Sequence, residues 1–222
     1  MIGRARGIAL ALAALTGVLG VVGCEPATES PDPRGLTVYA AASLTGALRE
    51  LEPAWTGGHP DIPLSIATDS SAALGTQIEQ GATADVFLSA DLANPMKLAD
   101  AGLADGAVIT FAGNRLAIVT PASNPARVAI PADLARPGVK IIAAGDNVPI
   151  STYAAAVIGK LSGLDGYPPD FAASYAANVV TREVNVAAVL AKIELGEGDA
   201  AIVYETDAAG SSRVDTIPVP NE

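Results

Sequence analysis

Two stretches decide the fold of this chain: residues 36–48, LTVYAAASLTGAL, and residues 64–81, LSIATDSSAALGTQIEQG. In each, an apolar, β-branched run typical of a buried strand gives way to the apolar spacing of a helix. They predict strands at 36–42 and 63–68 and helices near 44–55 and 72–80. A third strand at 85–89 and a helix at 92–101 follow. This order predicts a parallel sheet with right-handed crossovers and helices on both faces.

A second α/β unit begins near Phe111. Its pattern predicts strands at 115–120 and 140–144, a short helix at 131–134, helices at 151–162 and 186–196, and a strand that ends at Tyr204. Residues 163–178 are expected to form a loop with a short helical stretch. We therefore predict an α/β fold of two lobes, each with a parallel-rich sheet, separated by a cleft. Lobe 1 would comprise residues 36–110 plus 205–222, and lobe 2 residues 111–204. Ligands of such folds bind at the carboxyl ends of the strands.

Composition and charge exclude several classes of partner. The 222-residue chain has 24 acidic and 13 basic residues, a formal charge of −11, and only 4% of its residues are aromatic. Nucleic acid and anionic membrane surfaces are therefore poor partners for the folded part. If the protein binds an anion, local dipoles must attract it against the overall field of the protein.

The N-terminus reads as a targeting segment. Arg4 and Arg6 precede an apolar run at 8–23, and the run ends in V-V-G-C at Cys24. The length and flanks of the run favour a signal peptide at 1–23 over a mature spanning helix. V-V-G-C resembles a bacterial lipobox, which predicts a lipidated Cys24 and a polar tether at 24–35; the alternative is an ordinary signal peptide with an incidental cysteine. Cys24 is the only cysteine, so a disulfide framework and a cysteine metal site are excluded.

Serines stand at both strand-to-helix corners of the first lobe. Ser43 follows the first strand, and Ser70 and Ser71 follow the second, with no basic residue at either corner. A helix N-terminus carries unpaired N–H groups and the positive end of the helix dipole, so it attracts anions. Serine is also a common helix cap, so one such corner alone indicates little. Two further helix starts, at 149–151 after a proline and near 185–186, add donors of the same kind.

The sequence supports catalysis and metal binding less well than it supports anion binding. Neither serine corner matches G-x-S-x-G or S-x-x-K, and the single histidine, His59, lies in a predicted turn. No glycine pattern typical of nucleotide binding follows a strand. Five carboxylates near strand ends are scattered singly, without the spacing of a cation site; they are Asp85, Asp91, Asp146, Glu205 and Asp207. We predict that the protein is not an enzyme, has no cofactor and has no direct metal-cation ligands.

Four segments together resemble the molybdate-binding proteins of bacterial ABC importers, which are solute receptors of the periplasmic-binding-protein type. They are TVYAAASL at 37–44, SSAALGTQIEQGATADVFLSAD at 70–91, GDNVPISTYA at 145–154 and GEGDAAIVYETDA at 196–208. The resemblance implies a periplasmic-binding-protein-like fold and an extracytoplasmic, lipid-anchored receptor. It further implies molybdate or tungstate as ligand, and an ABC permease and ATPase as partners.

The same resemblance implies which residues bind the oxyanion. Carried over by motif, they are the hydroxyls of Ser43 and Ser71, the backbone amides of Ile150 and Val186, and the hydroxyl of Tyr204. Val184 is a rival for Val186, although counting back from the last segment favours Val186. A site that only donates hydrogen bonds favours an anion without protons, such as molybdate. Sulfate would have to be excluded by size, and no sequence argument separates tungstate.

The chain departs from the family pattern at three places. Asp69 stands where a small neutral residue is expected; it either faces the cavity, where it would repel a dianion or accept a proton from hydrogen phosphate, or turns to solvent or caps the helix. Ile150 is larger than the residue the family tends to have there. The sequence ends at Glu222, whereas such receptors usually continue with another strand and a closing helix that would pack on the first lobe. A receptor for sulfate or phosphate, a serine-hydrolase lipoprotein and a structural lipoprotein without binding remain as alternatives.

Overall fold

The computed structural model describes residues 35–220. The predicted signal peptide, the predicted lipidation site Cys24 and the predicted tether up to residue 34 lie outside these residues. Within them, no helix combines the length and the apolar character needed to cross a membrane.

The first part of the chain forms the predicted parallel sheet. Its elements are β1 (Leu36–Ala41), α1 (Thr45–Gly58), β2 (Leu64–Asp69), α2 (Ser71–Glu79), β3 (Val86–Leu88) and α3 (Ala93–Asp100). The strands pair in the order β2-β1-β3, all parallel. A short 3-10 turn, Ala42–Leu44, joins β1 to α1 and carries Ser43. The predicted β–α alternation is confirmed, with element ends displaced by one to three residues.

The second part forms a mixed five-stranded sheet. Its elements are β4 (Leu116–Pro121), a 3-10 helix (Pro131–Ala135), β5 (Ile141–Ala144), α4 (Pro149–Leu161), α5 (Phe171–Ala177), β6 (Val179–Glu183), α6 (Val186–Glu194), β7 (Ala200–Tyr204), α7 (Glu205–Ala209) and β8 (Val214–Pro218). The strand order is β6-β5-β7-β4-β8. The first three strands are parallel, and β4 is antiparallel to both of its neighbours.

Two strands of this sheet were not predicted. β6 is an edge strand with an exposed face, and Val180 is 56% exposed, so its sequence lacks the apolar run of a central strand. β8 pairs with β4 along Val214–Pro218. The expectation that the residues from 205 onward return to the first sheet therefore does not match residues 205–218. Instead, β8 pairs antiparallel with β4, on the side of β4 that faces away from β7.

The core lies on both faces of the five-stranded sheet. On one face α6 packs with buried Val186, Val189 and Ile193. On the other face α4 and α5 pack, and Phe171 is the largest completely buried side chain. By contrast, α1 contains no buried residue. The five-stranded sheet is thus a rigid base for the helix starts that follow its parallel strands.

Candidate functional site

One small pocket lies where the parallel strands of both sheets end. Its empty space is about 220 Å³ when the open mouth is counted. Its lining consists of Ala41, Ala42, Ser43, Ser70, Ser71, Ala90, Val148, Pro149, Ile150, Asn185, Val186 and Tyr204. These residues follow or end β1, β2, β3, β5, β6 and β7. Among the described residues, the lining includes no charged side chain, so the pocket suits a small ligand held by neutral groups.

All five residues expected to bind an oxyanion line this pocket. They come from five separate segments of the chain, which follow or end β1, β2, β5, β6 and β7, and they are Ser43, Ser71, Ile150, Val186 and Tyr204. The rival Val184 is 70% exposed and does not line the pocket. The large side chain of Ile150 is 2% exposed and packs in the core cluster next to α6. The departure at Ile150 therefore adds to the core while its backbone remains at the pocket.

The two serines of the second corner have different roles. Ser70 is the N-cap of α2, and its Oγ accepts the Ala73 N–H at 3.2 Å. Ser71 is completely buried, and its Oγ accepts the Ala90 N–H at 2.9 Å. A hydroxyl that accepts one hydrogen bond still has its proton to donate. Ser71 is therefore oriented by β3 and has a donor left for a ligand.

Two helices point their first N–H groups at the pocket. Pro149 is the first residue of α4 and needs no N–H partner, so Ile150 supplies the first free amide of that helix. Val186 is the first residue of α6, where the Asn185 side chain caps the Ala188 N–H at 2.9 Å. The N–H groups of the first helical turn have no partner within the helix. Together the two helix starts offer amide donors and the positive ends of two dipoles.

Tyr204 is a buried hydroxyl without a partner. The residue is 5% exposed, and among the described residues no group hydrogen bonds to its Oη. Burial raises the pKa of the Tyr204 hydroxyl well above its usual value, and Tyr153, Asp207 and Asp91 raise it further. The hydroxyl is therefore neutral at physiological pH. Because an unpaired buried polar group is costly, a ligand acceptor in the pocket would stabilise it.

Tyr153 packs against Tyr204 but is not among the residues that line the pocket. Its ring packs edge-on against the ring of Tyr204, with the centroids 6.5 Å apart and the planes at 63°. Its hydroxyl donates a long hydrogen bond of 3.4 Å to the Ala90 carbonyl. Tyr153 thus restrains the Tyr204 ring and reaches from α4 to Ala90, the second residue after β3.

Asp69 does not line the pocket. Its Oδ1 accepts the Ser70 N–H at 2.7 Å and the side-chain amide of Asn185 at 2.9 Å. The sequence left open whether the Asp69 carboxylate faces the cavity, and in the structure it does not. The carboxylate instead lies at the start of α2 and reaches the residue that caps α6, a contact that was not expected.

The other singled-out residues are not brought to the pocket. His59 follows α1 and stacks on Trp55, with ring centroids 4.2 Å apart. Three of the scattered carboxylates have protein partners: Asp85 accepts the Thr37 N–H, Asp91 accepts the Asn94 N–H, and Asp146 pairs with Arg182. Within residues 35–220, no group of three or more histidine, cysteine or acidic residues could hold a metal ion. A serine nucleophile would therefore lack a histidine base in this pocket.

Seven lining residues were not identified as site residues from the sequence, and two of them, Ala90 and Asn185, make side-chain or backbone contacts that position the site. Ala90 follows β3 and meets Ser71 only because β3 pairs with β1. Asn185 had a local signal, since asparagine is a strong helix N-cap, but its contact with Asp69 crosses 116 residues. No short-range pattern predicts that contact.

A family model for bacterial extracellular solute-binding proteins matches residues 36–222. The molybdate-binding protein ModA of Mycobacterium tuberculosis is 34% identical over 209 residues, which are 91% of this chain and 76% of ModA. YvgL of Bacillus subtilis, provisionally described as an ABC transporter substrate-binding lipoprotein, is 32% identical over 93% of this chain and 77% of its own length.

Among solved structures, the sulfate-binding protein SubI of Mycobacterium tuberculosis matches with a TM-score of 0.70 over 83% of this chain and 70% of SubI. At 18% identity this likeness shows the fold and says nothing about the ligand. The fold is that of the periplasmic binding proteins, as predicted. By its sequence match over nearly all of the described residues, the chain belongs to the family of bacterial extracellular solute-binding proteins.

Proposed function

We propose that this protein captures molybdate in the pocket and delivers it to an ABC importer. The observation that carries the proposal is the meeting of five neutral donors, expected from separate segments, in one small pocket without a charged side chain. The 34% identity to a molybdate-binding protein supports the choice of ligand. Tungstate, a close analogue in size and charge, is expected to bind as well.

In this proposal the serine hydroxyls hold one side of the anion. Ser71 donates its proton to a ligand oxygen while its Oγ accepts the Ala90 N–H. Ser43 approaches from the turn after β1. Hydrogen bonds to a charged acceptor contribute about 1.5–3 kcal/mol each.

The helix starts and Tyr204 hold the other side. The amides of Ile150 and Val186 donate from the first turns of α4 and α6, where the helix dipoles favour negative charge. The Tyr204 hydroxyl gains the acceptor that it lacks among the described residues. Since every group donates, an oxyanion that carries a proton, such as hydrogen phosphate, would leave its own donor unpaired.

We also propose that the sheets belong to two lobes that close on the ligand. The three-stranded sheet and the five-stranded sheet would each form the base of one lobe, with the chain crossing between them near residues 110–114. Closure would bring Ile150, Val186 and Tyr204 onto an anion already bound by Ser43 and Ser71. The closed protein would then dock on a permease and its ATPase.

Membrane anchoring through Cys24 is part of the same proposal. It rests on the V-V-G-C motif after an apolar run, and YvgL, a relative, is provisionally described as a lipoprotein. Metabolic labelling with a palmitate analogue in a bacterial host tests it. We expect label on the wild-type chain and none on Cys24→Ala; equal labelling of both would contradict the anchor.

A ligand screen tests the main proposal. The domain from residue 25 onward is titrated by calorimetry and thermal shift with molybdate, tungstate, sulfate and phosphate. We expect tight binding and a clear rise in melting temperature with molybdate and tungstate, and little effect with sulfate or phosphate. Tight binding of sulfate, or of phosphate with loss of binding in Asp69→Ala, would show another oxyanion to be the ligand. No shift with any of the four would overturn the proposal.

A further inference from the structure

The starts of α2 and α6 are joined by one side-chain contact. Asn185 Nδ2 donates to Asp69 Oδ1 at 2.9 Å across 116 residues of sequence. Asp69 ends β2 in the three-stranded sheet, and Asn185 follows β6 in the five-stranded sheet. The contact therefore links two walls of the pocket that belong to different sheets.

Both partners of this contact are fixed by further hydrogen bonds. The same Asp69 oxygen accepts the Ser70 N–H at 2.7 Å, which holds the carboxylate at the start of α2. Asn185 Oδ1 accepts the Ala188 N–H at 2.9 Å as the cap of α6. With the carbonyl oxygen occupied by the helix, the amide nitrogen can only point the other way, towards Asp69. The orientation of the Asn185 side chain thus follows from its two partners.

We propose that Asp69 is a positioning residue of the anion site that acts through Asn185. It ties the first turn of α6, which carries the Val186 amide, to the first turn of α2, which carries Ser71. Asp69 itself does not line the pocket, whereas Asn185 does. A charged acceptor makes this hydrogen bond about twice as strong as a neutral one. Separation of the two walls must break it, so it slows release of the ligand. This inference rests on the proposed binding of molybdate.

The negative charge of Asp69 also has an opposing effect. A carboxylate near the pocket repels an approaching dianion, although the starts of α2 and α6 partly offset it. Two substitutions separate the charge from the hydrogen bond. Asp69→Asn removes the charge and keeps an acceptor oxygen for Asn185, whereas Asp69→Ala removes both.

Release of radiolabelled molybdate into excess unlabelled molybdate compares these two variants. Because they carry the same charge, the difference between them measures the loss of the acceptor oxygen, which in the wild-type protein serves both Asn185 Nδ2 and the Ser70 N–H. We expect Asp69→Ala to release molybdate about fivefold to tenfold faster than Asp69→Asn. Equal release rates, or slower release from Asp69→Ala, would overturn the proposal.

An exchange of the two residues supplies a second test that needs no ligand. Asn185→Asp keeps the helix cap, since aspartate caps as well as asparagine, but places two carboxylates against each other. We expect it to lower the melting temperature of the ligand-free protein by about 3 °C or more. Adding Asp69→Asn restores an amide–carboxylate hydrogen bond and should recover most of the lost melting temperature. A double variant as unstable as Asn185→Asp would overturn the contact.

The two tests distinguish a failure of the positioning role of Asp69 from a failure of the proposed molybdate binding. If the wild-type protein does not bind molybdate, the proposed function fails while the exchange still tests the contact. If the wild-type protein binds molybdate but the effects of the two substitutions on the melting temperature simply add, the positioning role is wrong and the proposed function stands. Ser65→Ala, an exposed position within β2, is the control and should leave both the release rate and the melting temperature unchanged.

Discussion

Ser71 Oγ lies 2.9 Å from the backbone nitrogen of Ala90 and accepts its hydrogen bond. Ser71 begins α2, and Ala90 follows β3, so the bond joins two corners of the first sheet at the pocket. Ser71 is completely buried; its hydroxyl uses its acceptor side within the protein and keeps a proton that it can donate to a ligand. This division explains how one serine serves both the fold and the proposed ligand.

Replacement of the two serines should therefore give different results. Ser43→Ala is expected to weaken molybdate binding about tenfold or more with little effect on stability, since one charge-assisted hydrogen bond is lost. Ser71→Ala should weaken binding similarly and also lower the free energy of unfolding by about 1–2 kcal/mol, because the Ala90 N–H loses its acceptor. Calorimetry and urea unfolding measure the two quantities. Unchanged affinity in both variants would exclude the serines from the site.

Tyr204→Phe should change affinity and stability in opposite directions. The hydroxyl is buried and has no partner among the described residues, so its removal relieves a desolvation cost. We expect the ligand-free protein to be as stable as the wild type or up to about 1 kcal/mol more stable. Molybdate affinity should fall about tenfold. A stability loss together with unchanged affinity would show that the hydroxyl has a structural partner and no ligand.

Asp207 predicts a pH dependence of stability. Burial raises the pKa of its carboxyl to about 6, partly offset by a hydrogen bond from the Tyr204 backbone. Because the folded pKa lies above the unfolded value, the contribution to stability is complete below about pH 4 and is lost as the pH rises through about 6. Asp207→Asn should remove this dependence and stabilise the protein at pH 7.5 by roughly 1–2 kcal/mol.

Urea unfolding at pH 4.5 and 7.5 measures this difference. The exposed Asp215 offers a matched control, and Asp215→Asn should leave the pH profile close to that of the wild type. If Asp207→Asn destabilises the protein equally at both pH values, the carboxyl acts as a charged helix partner and the prediction is wrong.

Two glycines predict opposite effects of the same substitution. A Cβ at Gly198 would lie 2.7 Å from Ile142 Cδ1 in the core, so Gly198→Ala should destabilise the protein by about 1–3 kcal/mol through overpacking. Gly159 is exposed within α4, and a Cβ there would meet nothing within 4 Å. Gly159→Ala should stabilise the protein by about 0.5–1 kcal/mol. Thermal unfolding of both variants tests the pair; stabilisation by Gly198→Ala would contradict the packing around Ile142.

The sequence predicted the elements with strong local patterns. The strands β1, β2, β5 and β7 have largely apolar sequences, and the helices α1, α2, α4 and α6 have apolar residues at helical spacing, so each can be recognised without its neighbours. The edge strand β6 escaped prediction because half of its side chains face solvent. β8 escaped because Pro218 and the polar residues of Val214–Pro218 resemble a loop. β8 is a strand because its backbone pairs with β4.

By itself, the sequence determined the β–α order, the serine corners and the family, because these depend on local patterns and on motifs that can be compared between chains. Only the tertiary structure decided that the helix starts meet at one pocket, that Ala90 orients Ser71, and that Asp69 turns to Asn185 instead of the cavity. The physical reason is that the residue pattern of a strand does not specify which other strand it pairs with. Nor does it specify the direction of a side chain at the end of the strand. Those are settled when parallel strands align and their carboxyl ends come together.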